Sequence, residues 1–350
     1  MVLKRSGSLS LSLLLLACCW SSTVAPEVIE VTGKRIVGYV PEYRHGIEWE
    51  GVLDKLTDVI LFSIEATETG ELSNLDRLPS DLSRIQKLAK DRGTNVLICI
   101  GGGGRSQGLG ATLREERSMK NLARNLIEFV RSNGLSGVDI DWEIPTSEGD
   151  YETLMGFCKA LKSLAAKESE EFLVTVAIHP GQEMKMDPGI VEVADFISIM
   201  VYDNMCQQPR SAPPCYHSTL EFSQMVVDRL VRKGFARKAL LGLPFYGRHV
   251  NHGEAKTYYE LVDGARSESD DMVDEYYFNG INTMRSKIDL VFNSDLGGCM
   301  IWELGQDVSP SREDSLLASL ASYVKYKATP SKLQRRKQRK ERKRPVREEL

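Results

Sequence analysis

Gly137-Val138-Asp139-Ile140-Asp141-Trp142-Glu143 alternates acidic and apolar residues at strict two-residue spacing. In a β-strand successive side chains point to opposite faces, about 3.3 Å apart along the chain, so Asp139, Asp141 and Glu143 share one face and Val138, Ile140 and Trp142 the other. Such a strand is buried on both sides only where the acids meet polar partners, because an unpaired buried carboxylate is costly or keeps its proton. Like charges roughly 6–7 Å apart also resist full ionisation, which raises at least one pKa and makes that group a proton donor near neutral pH. A solvated acidic face would leave the apolar alternation unexplained. A cation site lacks support, since no histidine or second acid cluster lies nearby in sequence to complete a metal shell.

Outward from this stretch the chain alternates. Apolar runs predict strands at Arg35–Pro41, Thr57–Ile64, Asn95–Gly101, Gly137–Glu143, Phe172–Ile178, Asp195–Tyr202, Ala239–Tyr246 and Gly298–Glu303. Helical spacing appears between them, clearest at Met119–Ser132, Tyr151–Lys167 and Leu220–Lys233, and Gly93, Gly134 and Gly234 stand where three helices should stop. Near-continuous apolar strands separated by helices imply a parallel sheet covered on both faces, and eight such units fit an α/β fold, a (β/α)8 TIM barrel. An open doubly wound sheet is the rival. The Gly101–Gly104 run does not favour it, because no helix opens at once after those glycines. In a barrel the site forms at the C-terminal ends of the strands, where Glu143 is predicted to sit.

Both ends read as attachments to a domain spanning 34–326. Residues 1–25 have a basic start, an apolar core from Leu9 to Ala17 and small residues after it, the layout of a secretory signal; a lipoprotein-type signal with Cys18 modified is the variant reading. No later run is long and apolar enough to span a bilayer. At the other end, Lys332 to Arg347 carries ten Lys or Arg within a segment, 331–350, that buries too little to fold. Residues 332–350 sum to +7 and leave about −11 on the rest of a chain whose formal charge is −4. A basic tail of this kind suits an anionic partner, and the secretory start makes nucleic acid unexpected. The final Arg-Glu-Glu-Leu loosely matches a retrieval address of the endoplasmic reticulum, so the expected location is secreted, or the reticulum lumen if that address is read. Of five cysteines outside the signal, Cys206 and Cys215 bracket a short polar, Pro-rich segment and are the disulfide candidates, while Cys99 and Cys299 lie in apolar runs and read as buried. No Cys or His spacing suggests zinc, and no cofactor is implied.

The chain resembles the chitinases of glycoside hydrolase family eighteen from about Lys34 to Tyr326. Separate motifs carry the resemblance in order: Val37 to Tyr43; Cys99-Ile100-Gly101-Gly102, with Cys99 in place of a serine; the acid row; Met200-Val201-Tyr202-Asp203; Gly242 to Arg248; and Gly297 to Trp302. The resemblance implies Glu143 as the general acid for a glycosidic oxygen. Asp141 would stabilise a cation formed when the substrate's own N-acetyl carbonyl attacks the anomeric carbon, and Asp139 would share a proton with Asp141. Tyr202 would donate to the acetamido oxygen, Trp302 would floor the subsite, and Tyr39, Met200, Asp203, Tyr246 and Arg248 would line the pocket.

Two departures accompany these matches. Ser136 stands where the family's first signature aspartate would be, and the segment from Arg248 to Gly297 is short beside relatives that insert a small α+β domain, which implies a more open cleft. The expected activity is retaining, substrate-assisted hydrolysis of chitin or N-acetylglucosamine oligosaccharides. An endo-β-N-acetylglucosaminidase acting on N-glycans and a non-catalytic chitin-binding lectin are the alternatives, and the intact Glu143 speaks against the second.

Overall fold

Eight parallel strands pair in chain order and the eighth returns to the first, so the sheet has no free edge. In the computed structural model, which describes residues 33–167, 171–204, 216–264, 267 and 270–329, the strands are β1 (Arg35–Pro41), β2 (Asp58–Ala66), β3 (Asn95–Gly101), β4 (Gly137–Asp141), β5 (Leu173–Ile178), β6 (Phe196–Ile199), β7 (Ala239–Pro244) and β8 (Gly298–Trp302). The closing contact pairs β1 with β8 from Arg35 opposite Gly298 to Gly38 opposite Ile301. The architecture is the expected (β/α)8 barrel. The signal segment with Cys18, the Cys206 and Cys215 pair and the basic tail all lie outside the described residues.

Seven helices of eight or more residues stand among the described residues: α1 (Leu82–Arg92), α2 (Gln107–Arg114), α3 (Glu116–Ser132), α4 (Glu148–Lys167), α5 (Leu220–Lys233), α6 (Ile281–Asn293) and α7 (Leu316–Ala328). Their ends follow from local chemistry. The Glu115 carboxylate accepts the amides of Arg117 and Ser118 at the start of α3, and Thr219 Oγ1 accepts the Phe222 amide at the start of α5. Gly93 and Gly234 adopt left-handed conformations, φ +67° and +79°, which stop α1 and α5. None of the helices among the described residues is long and apolar enough to cross a membrane.

The core has two compartments. The larger lies between barrel and helices, where Val138, Ile140 and Trp142 meet Leu122, Leu126, Leu154 and Phe157. The smaller fills the barrel, with Val37, Tyr39, Ile60, Leu97, Cys99, Phe196, Leu240 and Met300 among its members. Cys99 is thus inside the barrel and Cys299 outside it, both buried free thiols. Asp139 sits in register between Cys99 and Thr175, and Asp141 between Gly101 and Ala177.

The predicted fourth strand is two residues too long. Its ladder ends at Asp141, because β3 stops at Gly101 and the chain turns there with Gly101 and Gly102 at φ +96° and +98°. A side chain at Gly101 would come within 2.3 Å of the Asp141 carbonyl, and one at Gly102 within 2.3 Å of Phe62, so these glycines permit the approach of two strand ends. A second departure from the sequence reading is a small antiparallel sheet after β7. It is built from Tyr246–His249, Ala255–Thr257, Met272–Val273 and Tyr276–Tyr277.

Candidate active site

Asp139 is wholly buried and fully engaged: Tyr39 from β1 donates to Oδ2 at 2.7 Å and Thr175 from β5 to Oδ1 at 2.6 Å. Burial pushes its pKa up while these hydrogen bonds, with one from Cys99, pull the other way. The same burial, reinforced by Asp139, raises the Tyr39 phenol well above its ordinary value. Asp141 is different. It is only 3 % exposed, and its Oδ1 has no hydrogen-bond partner. Burial first, and then the charges of Glu143 and Asp139, drive its pKa well above the usual carboxylate range. Asp139 stands behind Asp141 on the same strand face and is among the charges that raise the Asp141 pKa, after burial and Glu143.

Glu143 stands two residues past the end of β4, in the loop rather than in the strand, and is one-fifth exposed. Its amide donates to Ser106 Oγ at 3.0 Å, and that hydroxyl also lies 2.9 Å from the Asp141 carbonyl. Asp150 in α4 holds the following turn: the Thr146 and Ser147 amides donate to its Oδ2 at 2.8 and 3.1 Å, and Arg114 bonds both its oxygens at 2.8 and 3.0 Å. Hydrogen bonding from Arg114 depresses the Asp150 pKa against the opposing effect of burial. Arg114 also lies over the Trp142 ring at 5.3 Å, tying the outward face of the acid row to α2.

The aromatic floor is built from three strands. Trp302 at the end of β8 is partly exposed, 5.6 Å from the Tyr39 ring and edge-to-face with Phe62 at 4.8 Å. Across the mouth, Tyr202 is buried with its hydroxyl 3.8 Å from Met300 Sδ, and burial raises its pKa well above normal. Met200 belongs to the same interior cluster.

Asp203 has the left-handed φ of +54° that few non-glycine residues adopt. Tyr246 Oη donates to it at 2.8 Å, and Arg248 Nε and Nη2 at 2.8 and 2.7 Å. Although burial works to raise its pKa, His217 and Arg248 hold it well below the usual range. Buried Lys287 braces the segment behind, donating to Ser218 O and Oγ and to Asn279 Oδ1, and burial lowers its pKa to about 7.

All ten expected site residues thus gather at the C-terminal mouth of the barrel or in its upper interior. Ser136 sits at the opposite end, where its hydroxyl accepts the Val96 amide at 3.2 Å. Sequence reasoning missed Phe62, the Ser106 and Asp150 supports of Glu143, and His179, whose Nε2 lies 3.0 Å from Glu143 Oε2. His179 follows β5 directly, so the rule that barrel sites form at strand C-termini could have pointed to it.

The family described as glycosyl hydrolases family 18 matches residues 35–307. Chitinase 1 of Aphanocladium album is 24 % identical over 281 residues, 66 % of this chain and 65 % of that protein, so the chain spans less than two thirds of that relative. Chitinase ChiB of Flavobacterium johnsoniae superposes with a TM-score of 0.69 at 23 % identity, covering 83 % of this chain and 94 % of that one. Human YKL-39, a pseudo-chitinase with retained chitooligosaccharide binding properties, superposes with a TM-score of 0.68 at 17 % identity, covering 84 % and 99 %. These likenesses carry the fold, and the family match covers most of the chain. The chain belongs to glycosyl hydrolase family 18.

Proposed function

We propose that the protein hydrolyses β-1,4-linked N-acetylglucosamine oligomers by a retaining, substrate-assisted mechanism. The observation that carries this reading is the pairing of an intact, partly exposed Glu143 with a buried Asp141 whose proton affinity is raised. In the first half-reaction Glu143 gives its proton to the glycosidic oxygen as the acetamido carbonyl oxygen attacks the anomeric carbon and the leaving sugar departs. Asp141 faces the acetamido N–H and stabilises the cyclic cation, an interaction that strengthens as charge develops. Tyr202 donates its hydroxyl to the acetamido oxygen, and Trp302 supports the sugar ring. In the second half-reaction the Glu143 carboxylate takes a proton from water as that water opens the ring.

Tyr39 and Asp139 form the polar backing of Asp141 on this reading, while Asp203, Tyr246 and Arg248 form one wall. The basic tail is proposed to serve an anionic partner apart from catalysis, since neutral chitin offers no charge to it. Hydrolysis of a soluble chitin oligosaccharide and of an N-glycan core, measured side by side, tests the substrate. Cleavage of the chitin oligosaccharide at a higher kcat/KM is expected. Preferential cleavage of the N-glycan assigns the endo-β-N-acetylglucosaminidase activity instead, and binding without cleavage of either assigns a lectin.

A further inference from the structure

Glu143 has a partner that the acid row does not supply, and two independent loops fix its position. His179 Nε2 lies 3.0 Å from Glu143 Oε2, with the imidazole 37 % exposed. On the β5 side the His179 amide donates to Gln182 Oε1 at 2.5 Å and the Gln182 amide donates back to the His179 carbonyl at 3.1 Å. Glu183, wholly buried, accepts the Gly181 amide at 2.5 Å and Arg229 Nε of α5 at 2.8 Å. On the β4 side Ser106 and Asp150 hold Glu143 and the turn after it. Tyr151 joins the two loops, accepting from Gln182 Nε2 at 3.3 Å and donating to the Pro145 carbonyl at 3.4 Å. A contact supported from both sides in this way is a built feature of the site.

The groups around the carboxyl make the pairing consequential. Asp141 and Asp139 lie on the same side from β4, Cys99 from β3 and Tyr202 beyond the end of β6; burial above all raises the pKa of Asp141, Cys99 and Tyr202, and the Glu143 charge adds to it, most for Asp141. Each of these groups either holds its proton or adds negative charge. A neutral imidazole can accept a proton from Glu143, and an imidazolium can offset its carboxylate. Gly103 lies against the other side, where a Cβ would be 3.8 Å from Oε1, so no side chain there competes for the carboxyl.

We propose that His179 is a positioning residue for the reaction assigned above to Glu143. Through the Nε2–Oε2 contact the imidazole holds the carboxyl at the cleft mouth until a glycosidic oxygen takes the carboxyl's proton. The Glu143 carboxylate then accepts a proton from the attacking water, and the pair is restored. The role rests on the hydrolytic reading, but the pairing itself does not.

The test has two arms. In the kinetic arm His179→Ala and His179→Asn are compared with the wild type on a soluble chitin oligosaccharide from pH 4 to 9, with melting curves confirming the fold. KM should stay within about twofold while kcat falls about tenfold, a loss typical of a misplaced catalytic group. An unchanged kcat, with or without a raised KM, overturns the role. In the second arm, which needs no activity, the ring nitrogens of His179 are observed by ¹⁵N NMR at pH 6 in the wild type and in Glu143→Gln. A shift of those signals is expected, and unchanged signals overturn the pairing. Shifted signals in a wild type that hydrolyses nothing overturn the hydrolytic reading, and with it the role, but not the pair.

Discussion

Replacing Glu143 by Gln abolishes hydrolysis and leaves oligosaccharide binding within about threefold of the wild type. The amide has the size of the carboxyl and can keep a hydrogen bond to His179, but it cannot give a proton to the leaving oxygen. Positioned general acids contribute roughly 10²- to 10⁴-fold, so kcat should fall at least into that range. Isothermal titration with an unhydrolysed oligosaccharide and a turnover assay separate the two quantities. Turnover near the wild-type value would remove Glu143 from its assigned role. The fold should not suffer, because this side chain is partly exposed and its loop is held from the backbone by Ser106 and Asp150.

Asp141→Asn is expected to lower kcat by about 10²- to 10³-fold with little change in KM, since the lost charge acts mainly on a cation that exists only after bond cleavage begins. The same substitution should raise the melting temperature. Asp141 is buried with an unpartnered oxygen, and its folded pKa is raised, so the folded state holds its proton where the unfolded chain has released it. Stability therefore falls as pH rises through the window from about 3.9, the ordinary aspartate value, up to the raised folded value. An asparagine escapes that loss. The melting advantage of the variant should be small at pH 4 and grow toward neutrality, and an advantage that shrinks with rising pH would contradict the assigned electrostatics.

The sequence exposed the parts of the fold that follow from short-range periodicity. Strands β1 and β3 match their predicted limits, and α5 matches from Leu220 to Lys233, where Thr219 and Gly234 supply both caps. The outward turn of Val138, Ile140 and Trp142 also follows from two-residue spacing alone. The end of β4 does not, because it depends on where a neighbouring strand stops pairing, which is a property of Gly101 and Gly102 in three dimensions. The small antiparallel sheet after β7 escaped notice for a related reason. Two of its strands have only two residues, too short for alternation to register.

The site divides along the same line. Asp139, Asp141 and Glu143 announce themselves because three acids in an apolar strand need an explanation within seven residues. His179 lies 36 positions from Glu143 and is an isolated histidine in sequence. Phe62 is hidden within an apolar run, where ring contacts with Tyr39 and Trp302 cannot be distinguished from ordinary core packing. The Arg114 and Asp150 clamp joins two helices whose relative placement no local pattern encodes.

The most direct test of the central claim is the anomeric form of the first products. Attack by the acetamido oxygen inverts the anomeric carbon and attack by water inverts it again, so the products should appear in the β configuration. The purified protein is mixed with a soluble chitin oligosaccharide and followed by proton NMR before mutarotation sets in. The account predicts a β-anomer signal that leads and an α-anomer signal that follows only as the sugar equilibrates. An α-anomer formed first would contradict substrate-assisted retention, and the absence of any new reducing end would contradict hydrolysis altogether.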